Sequence, residues 1–262
     1  MLSRIAAARQ EDVNRYGEAI MEEFAHNDTL PAIREFIGMF SPNQKVSLIA
    51  EVKKASPSKG IFLVDFDPIN LAVAYQQNGA RAISVITEER FFQGSTHFIP
   101  QIKNQIELPI LRKDFIIDER QLYETRLLGA DAVLLIAGLL PDRLLPLVEL
   151  AQKLGLEPLV EVHDGEELKQ ALDTPVRMIG INNRNLQDFS INLQVCLDLI
   201  SQVPSGIYCI AESGISSPMD MLALEKHGFR GALVGEALVT ASDIGAKVRE
   251  LVGYQGVNHD QG

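Results

Sequence analysis

The sequence predicts a single α/β domain, a (β/α)8 barrel of the TIM type with an N-terminal helical extension. Three observations predict it. After residue 46 one unit recurs eight times over about 200 residues: a short β-branched run, a polar loop, then an amphipathic helix. The first run is not followed by Gly-x-Gly-x-x-Gly, which a doubly wound open sheet would favour. No glycine- or proline-rich linker divides the chain. The expected division is a helical extension over 1–45, a barrel over 46–252 and a tail over 253–262.

In the extension, Ile5, Ala8, Val13, Tyr16, Ile20 and Phe24 fall at helical spacing, with charged residues on the other face. Asp28-Thr29-Leu30-Pro31 has a capping residue and a first-turn proline, and predicts a second helix carrying Ile33, Phe36, Ile37 and Phe40. This segment is expected to cover the bottom or edge of the domain. The strands are expected at Ser47–Lys53, Arg81–Thr87, Leu108–Arg112, Ala132–Ile136, Pro158–Val162, Arg177–Asn182, Ile207–Glu212 and Ala232–Gly235. Helix limits between them are legible: Asp67-Pro68 to Gly79, Asp118 to Gly129, and Ser217-Pro218 to Gly228.

Composition narrows the function classes. The 262 residues are 46% hydrophobic and 23% charged, with a net charge of −11. That balance argues against nucleic acid, which needs a basic face. No run approaches the roughly 18 apolar residues of a membrane span. Cys196 and Cys209 lack metal-ligand spacing and suit a reducing cytoplasm. On an acidic chain, the few cations at strand ends are informative, because a local positive site can draw a small anion.

Such barrels react at the C-terminal ends of their strands. Glu51 and Lys53 share the strand face of Ile49, and a buried ion pair there would be costly to desolvate. A strand ending in a solvated salt bridge is the simpler alternative. By the same parity Leu111 shares a face with Lys113, Leu159 with Glu161, and Gly180 with Asn182 and Arg184. If those faces point inward, two lysines, two glutamates, an asparagine and an arginine converge over one mouth. Strand seven ends in Glu212-Ser213-Gly214, and strand eight in Gly235-Glu236 before a short helical stretch, Glu236–Val239. Loops after strands seven and eight are where these barrels hold phosphate, and glycines let backbone amides approach. Ser56 and Lys53 would complete that cradle. Pro57, Phe92 and Phe115 offer an apolar pocket for a flat ring.

Read together, several segments resemble the indole-3-glycerol-phosphate synthase family of tryptophan biosynthesis. They are Ile49–Ser58, Phe91–Ser95, Leu111–Phe115, Leu159–Val162, Gly180–Leu186 and Ala211–Ile215, and the match runs from about residue 46 to 250. Residues 1–45 match loosely, and Asp188 and Asn192 depart from the pattern. The resemblance implies a carboxy-lyase needing neither metal nor organic cofactor. It would convert 1-(2-carboxyphenylamino)-1-deoxyribulose 5-phosphate to indole-3-glycerol phosphate, carbon dioxide and water. It further implies Lys113 as general acid, Glu161 as general base, Glu51, Lys53, Asn182 and Ser213 in the chemistry, and Arg184 and Glu212 as supports. The expected partner is an anionic sugar phosphate, with no nucleic acid and no membrane. The chain is expected to act as a cytoplasmic monomer, with at most weak association with other enzymes of the pathway. Rival readings are a Schiff-base aldolase, a sugar-phosphate isomerase and a non-catalytic phosphate-binding barrel.

Overall fold

The computed structural model describes residues 2–41, 45–185 and 190–253, with Leu2 and Ser3 in backbone only; Leu186, Asp188 and residues 254–262 lie outside them. The strands are β1 (Ser47–Val52), β2 (Ala82–Ile86), β3 (Ile110–Lys113), β4 (Ala132–Ile136), β5 (Glu157–Val162), β6 (Met178–Asn182), β7 (Tyr208–Glu212) and β8 (Gly231–Val234). Each pairs in parallel with its sequence neighbours, and β8 pairs with β1 to close the barrel. An open sheet is excluded. A small antiparallel hairpin, Ala55–Ser56 with Gly60–Ile61, rises from the loop after β1.

Strand periodicity explains the closure. Ile49, Leu111, Leu134, Leu159, Met178, Ile210 and Leu233 pack together in the interior. Their alternates, among them Leu48, Ile83, Val133, Val160 and Ile179, pack beneath the helical shell. With both faces covered, the strands read as near-continuous apolar runs. The shell helices begin and end at the expected residues. Asp67 caps α2 (Pro68–Gln77), and Asp118 and Gln121 form a reciprocal capping box on α4 (Glu119–Leu128). Ser217 and Asp220 do the same for α8 (Pro218–Lys226). Gly129 ends α4 with φ +84, the left-handed conformation that glycine adopts without a Cβ penalty.

Helix α1 (Leu2–His26) buries Ile5, Ala8, Val13 and Ile20 and packs on α4. The helix expected from Asp28 does not form. Residues 27–36 are irregular, and only one 3-10 turn, Ile37–Phe40, follows. Barrel groups bond this segment instead of its own backbone. Asp131 Oδ1 accepts from the Arg34 amide at 2.6 Å, and the Pro31 carbonyl accepts from Arg126 Nη1 at 2.6 Å. The Arg34 guanidinium donates to the Lys103 and Leu108 carbonyls, each at 3.0 Å. Held this way, the segment delivers Phe36 and Phe40 into the interior cluster near the start of β8, where their burial outweighs weak local helix propensity.

Candidate active site

A cavity of about 490 Å³ opens at the C-terminal ends of the strands. The parity argument puts its polar floor there: Glu51, Lys113, Glu161 and Asn182 sit one step above Ile49, Leu111, Leu159 and Gly180 on inward faces, and all four line the cavity. Glu212 joins them above Ile210. Lys53 lies one residue past β1, with Nζ 2.8 Å from Glu51 Oε1. Glu51 is 4% exposed, so the solvated salt bridge does not describe this pair. Lys113 Nζ stands 3.8 Å from both Glu161 Oε2 and Glu212 Oε2.

Two glycines make room for the carboxylates. A Cβ at Gly180 would lie 2.2 Å from Glu212 Oε1, and one at Gly235 would lie 2.1 Å from Glu51 Oε1. No side chain fits at either position while the carboxylate keeps its place.

The charges are mutually adjusted. Burial opposes the charge on Lys113, but Glu161, Glu212 and Glu51 outweigh it and hold the ammonium above the usual lysine range. Burial would raise Glu51, yet Lys53 and Lys113 hold it below the usual carboxylate value. Glu161 and Glu212 are pushed apart. Burial disfavours both charges, but Lys113, His163 and Asn182 keep Glu161 low, while burial and the Glu161 charge push Glu212 well up. An ionised carboxylate and one shifted toward its neutral form therefore flank one ammonium.

At the other end of the cavity, β7 runs into Ser213 and Gly214, with φ of +65 and +80. Left-handed backbone at a serine is strained, and Asn183 holds it. Its Nδ2 donates to the carbonyls of Glu212 and Ser213 at 3.0 and 3.1 Å. Ser213, Gly214, Gly235 and Glu236 line the cavity together with Ser56, Pro57 and Arg184. Glu236 opens the short helix α9 (Glu236–Val239), and its carboxylate pairs with Lys59 and lies 3.8 Å from Arg184 Nη2.

Phe92 and Phe115 form the aromatic wall, their rings 6.0 Å apart at 37°. Glu88 builds the loop that presents Phe92: its carboxylate accepts from the Arg90, Phe91 and Phe92 amides. Sequence reasoning missed Glu88, Asn183, His163 and the apolar wall residues Ile5, Leu134, Ile136 and Leu233. The same strand parity identifies Leu134 and Ile136. The buried loop residues give no such signal. Among the described residues, no group of three or more His, Cys, Asp or Glu is arranged to hold a metal, and no helix is long and apolar enough to cross a membrane.

A closed parallel barrel with carboxylates and cations gathered in a cavity at its C-terminal mouth has the architecture of a barrel enzyme. The family model for indole-3-glycerol phosphate synthase matches residues 2–251, and the chain belongs to that family. The match takes in the N-terminal segment that the short motifs left loosely placed. Proteins called indole-3-glycerol phosphate synthase from Desulforamulus reducens and Chloroherpeton thalassium are 52% and 45% identical, over 225 and 223 residues. These alignments cover 85% of each chain in the first case, and 84% of this chain and 86% of the relative in the second. One from Chlorobium chlorochromatii is 43% identical over 92% of each chain. Among solved structures, the fold alone is shared with KGPDC from Streptococcus mutans, at a TM-score of 0.63 and 13% identity, over 80% of this chain and 97% of that one.

Proposed function

We propose that the chain closes the indole ring of 1-(2-carboxyphenylamino)-1-deoxyribulose 5-phosphate, releasing carbon dioxide and water. The observation that carries this reading is the Lys113 ammonium between Glu161 and Glu212, in a cavity with an aromatic wall at one side and a glycine-rich, cation-lined end at the other. A phosphate, a carboxylate and an aromatic ring on one substrate match those three surfaces. Residues 1–45 as extension, 46–252 as barrel and 253–262 as tail belong to the same reading, supported by the first strand opening at Ser47 and the last helix ending at Val252.

The ring carbon bearing the carboxylate attacks the ketone carbon while Lys113 gives its proton to the ketone oxygen. Lys53 pairs with the substrate carboxylate or phosphate and holds the reacting carbons together. Glu51 stabilises the positive ring intermediate and fixes Lys53. After carbon dioxide leaves, Glu161 takes the proton lost from carbon or nitrogen as the hydroxyl departs, and that proton completes the water released. Asn182 and Ser213 hydrogen-bond the hydroxyl or carboxylate, with Arg184 and Glu212 in support. The Gly214 and Gly235 amides, the Glu236 amide and Ser56 receive the phosphate. Pro57, Phe92 and Phe115 hold the ring. We place this activity in the cytoplasm, supported by the two free, buried thiols Cys196 and Cys209. We take the working unit as a monomer with at most weak association with other enzymes of the pathway.

The test is incubation of purified protein with that substrate in chelator, following indole fluorescence and carbon dioxide. Both should appear. Saturable binding without turnover supports a phosphate-binding barrel instead. A borohydride-trapped lysine adduct supports an aldolase, and rearrangement with the carboxylate retained supports an isomerase.

A further inference from the structure

His163 lies one residue beyond β5, behind Glu161 and not among the cavity-lining residues. Its Nε2 is 3.2 Å from Glu161 Oε1, although the N–H is not squarely aimed at that oxygen. Its Nδ1 is 2.9 Å from Glu167 Oε2, and the same oxygen accepts from the His163 amide at 2.8 Å. Glu167 stands in the first turn of α6 (Gly165–Leu172) and is seated over Gly138, where a Cβ would fall 2.3 Å from Oε1. One carboxylate thus pins the imidazole from behind, and the other meets it in front. The second oxygen of Glu161, Oε2, is buried without a hydrogen bond and faces Lys113.

We propose that His163, anchored by Glu167, is a positioning residue for Glu161: it engages Oε1 and leaves Oε2 as the oxygen that receives the proton. The inference rests on the reading of Glu161 as the base. Burial would drive the imidazole toward its neutral form, but Glu161 and Glu167 raise His163 to about 10, so it stands as a cation at neutral pH. Glu161 is also faced by Lys113 from β3, Glu212 from β7, Glu51 from β1 and the neutral Asn182 from β6. Lys113 is the cation committed to proton transfer. His163 supplies a charge that stays in place throughout the reaction. Removing it raises the Glu161 pKa and frees the carboxylate to rotate.

The experiment compares His163→Leu, His163→Asn and Glu167→Gln with Glu161→Gln, measuring kcat and KM against pH on the carboxyphenylamino sugar phosphate. His163→Leu should lose about tenfold in kcat, a fraction of the roughly 10²–10⁴-fold available to the base itself, with KM within about twofold. The acid limb of its kcat profile should move to higher pH. His163→Asn, which still donates but carries no charge, should recover part of the rate. Glu167→Gln should shift kcat and the acid limb the same way with His163 intact, and it gives the answer if the histidine variants fold poorly. With Glu161→Gln inactive, an unchanged kcat and acid limb overturns the role of His163 and leaves the base in place. So does a rate loss that follows melting temperature with the acid limb unmoved. Turnover retained by Glu161→Gln overturns the base reading itself.

Discussion

Arg9 on the N-terminal helix grips Asp114 with two nitrogens, and Asp114 is the residue after Lys113. Nε donates to Oδ1 at 2.9 Å and Nη2 to Oδ2, with both residues buried. Thr87 Oγ1 and Arg112 Nη2 reach the same carboxylate, whose Oδ1 also accepts from the Phe115 amide. One side chain therefore ties α1 to the strand end presenting Lys113 and Phe115. The helix is part of the site's geometry.

Arg9→Met should cost about 3 kcal/mol in urea unfolding, because it leaves a buried carboxylate short of a partner. A change below about 1 kcal/mol would mean that Arg112 suffices. The pair also sets an acid limit. Burial would raise the Asp114 carboxyl, but Arg9 and Arg112 outweigh it and hold the pKa at about 2 against an ordinary 3.8. A depressed carboxylate stabilises the fold above its unfolded pKa and loses that contribution as pH falls through the folded one. The loss should run from about pH 4 to 2 and amount to about 2 kcal/mol. Asp114→Asn should flatten stability across that window.

Lys113→Ala should reduce kcat by at least about 10²-fold while leaving substrate binding within a few-fold. Single-turnover and equilibrium binding measurements separate the two. A variant within a few-fold of wild-type turnover excludes Lys113 as the acid.

Gly180→Ala and Gly235→Ala each put a methyl where a carboxylate oxygen now lies, displacing Glu212 and Glu51 respectively. Both should lose about tenfold or more in kcat, since small misplacements at reacting groups are expensive. Wild-type kcat in both would show that neither carboxylate needs its present position.

Glu236→Gln keeps the backbone amide and removes a carboxylate that engages Lys59 and approaches Arg184. Lys59 then becomes available to an anion, so KM should fall severalfold, with the difference shrinking as salt rises. A raised KM would show instead that the carboxylate is needed to hold its cationic neighbours in place for the phosphate.

Strand periodicity made the barrel and the polar floor readable. Ile49 with Glu51, Leu111 with Lys113 and Leu159 with Glu161 are pairs two residues apart, and a strand converts that spacing into one face. Residues acting through tertiary partners left no such trace. Asp28-Pro31 reads as a helix start because the sequence does not reveal that Asp131 and Arg126 will bond the backbone around it. Glu88, Asn183 and His163 look like ordinary loop residues until folding brings their partners within reach. Arg9 is one charge among many on α1 until Asp114 meets it.

Phe36 and Phe40 stopper the barrel at the end away from the chemistry. In the proposed reaction, the new indole then departs by the doorway that admitted its precursor. The mouth serves entry and exit alike, and Glu236, which pairs with Lys59 in a salt bridge, lines it. A change that loosens this bridge would hasten arrival and departure together.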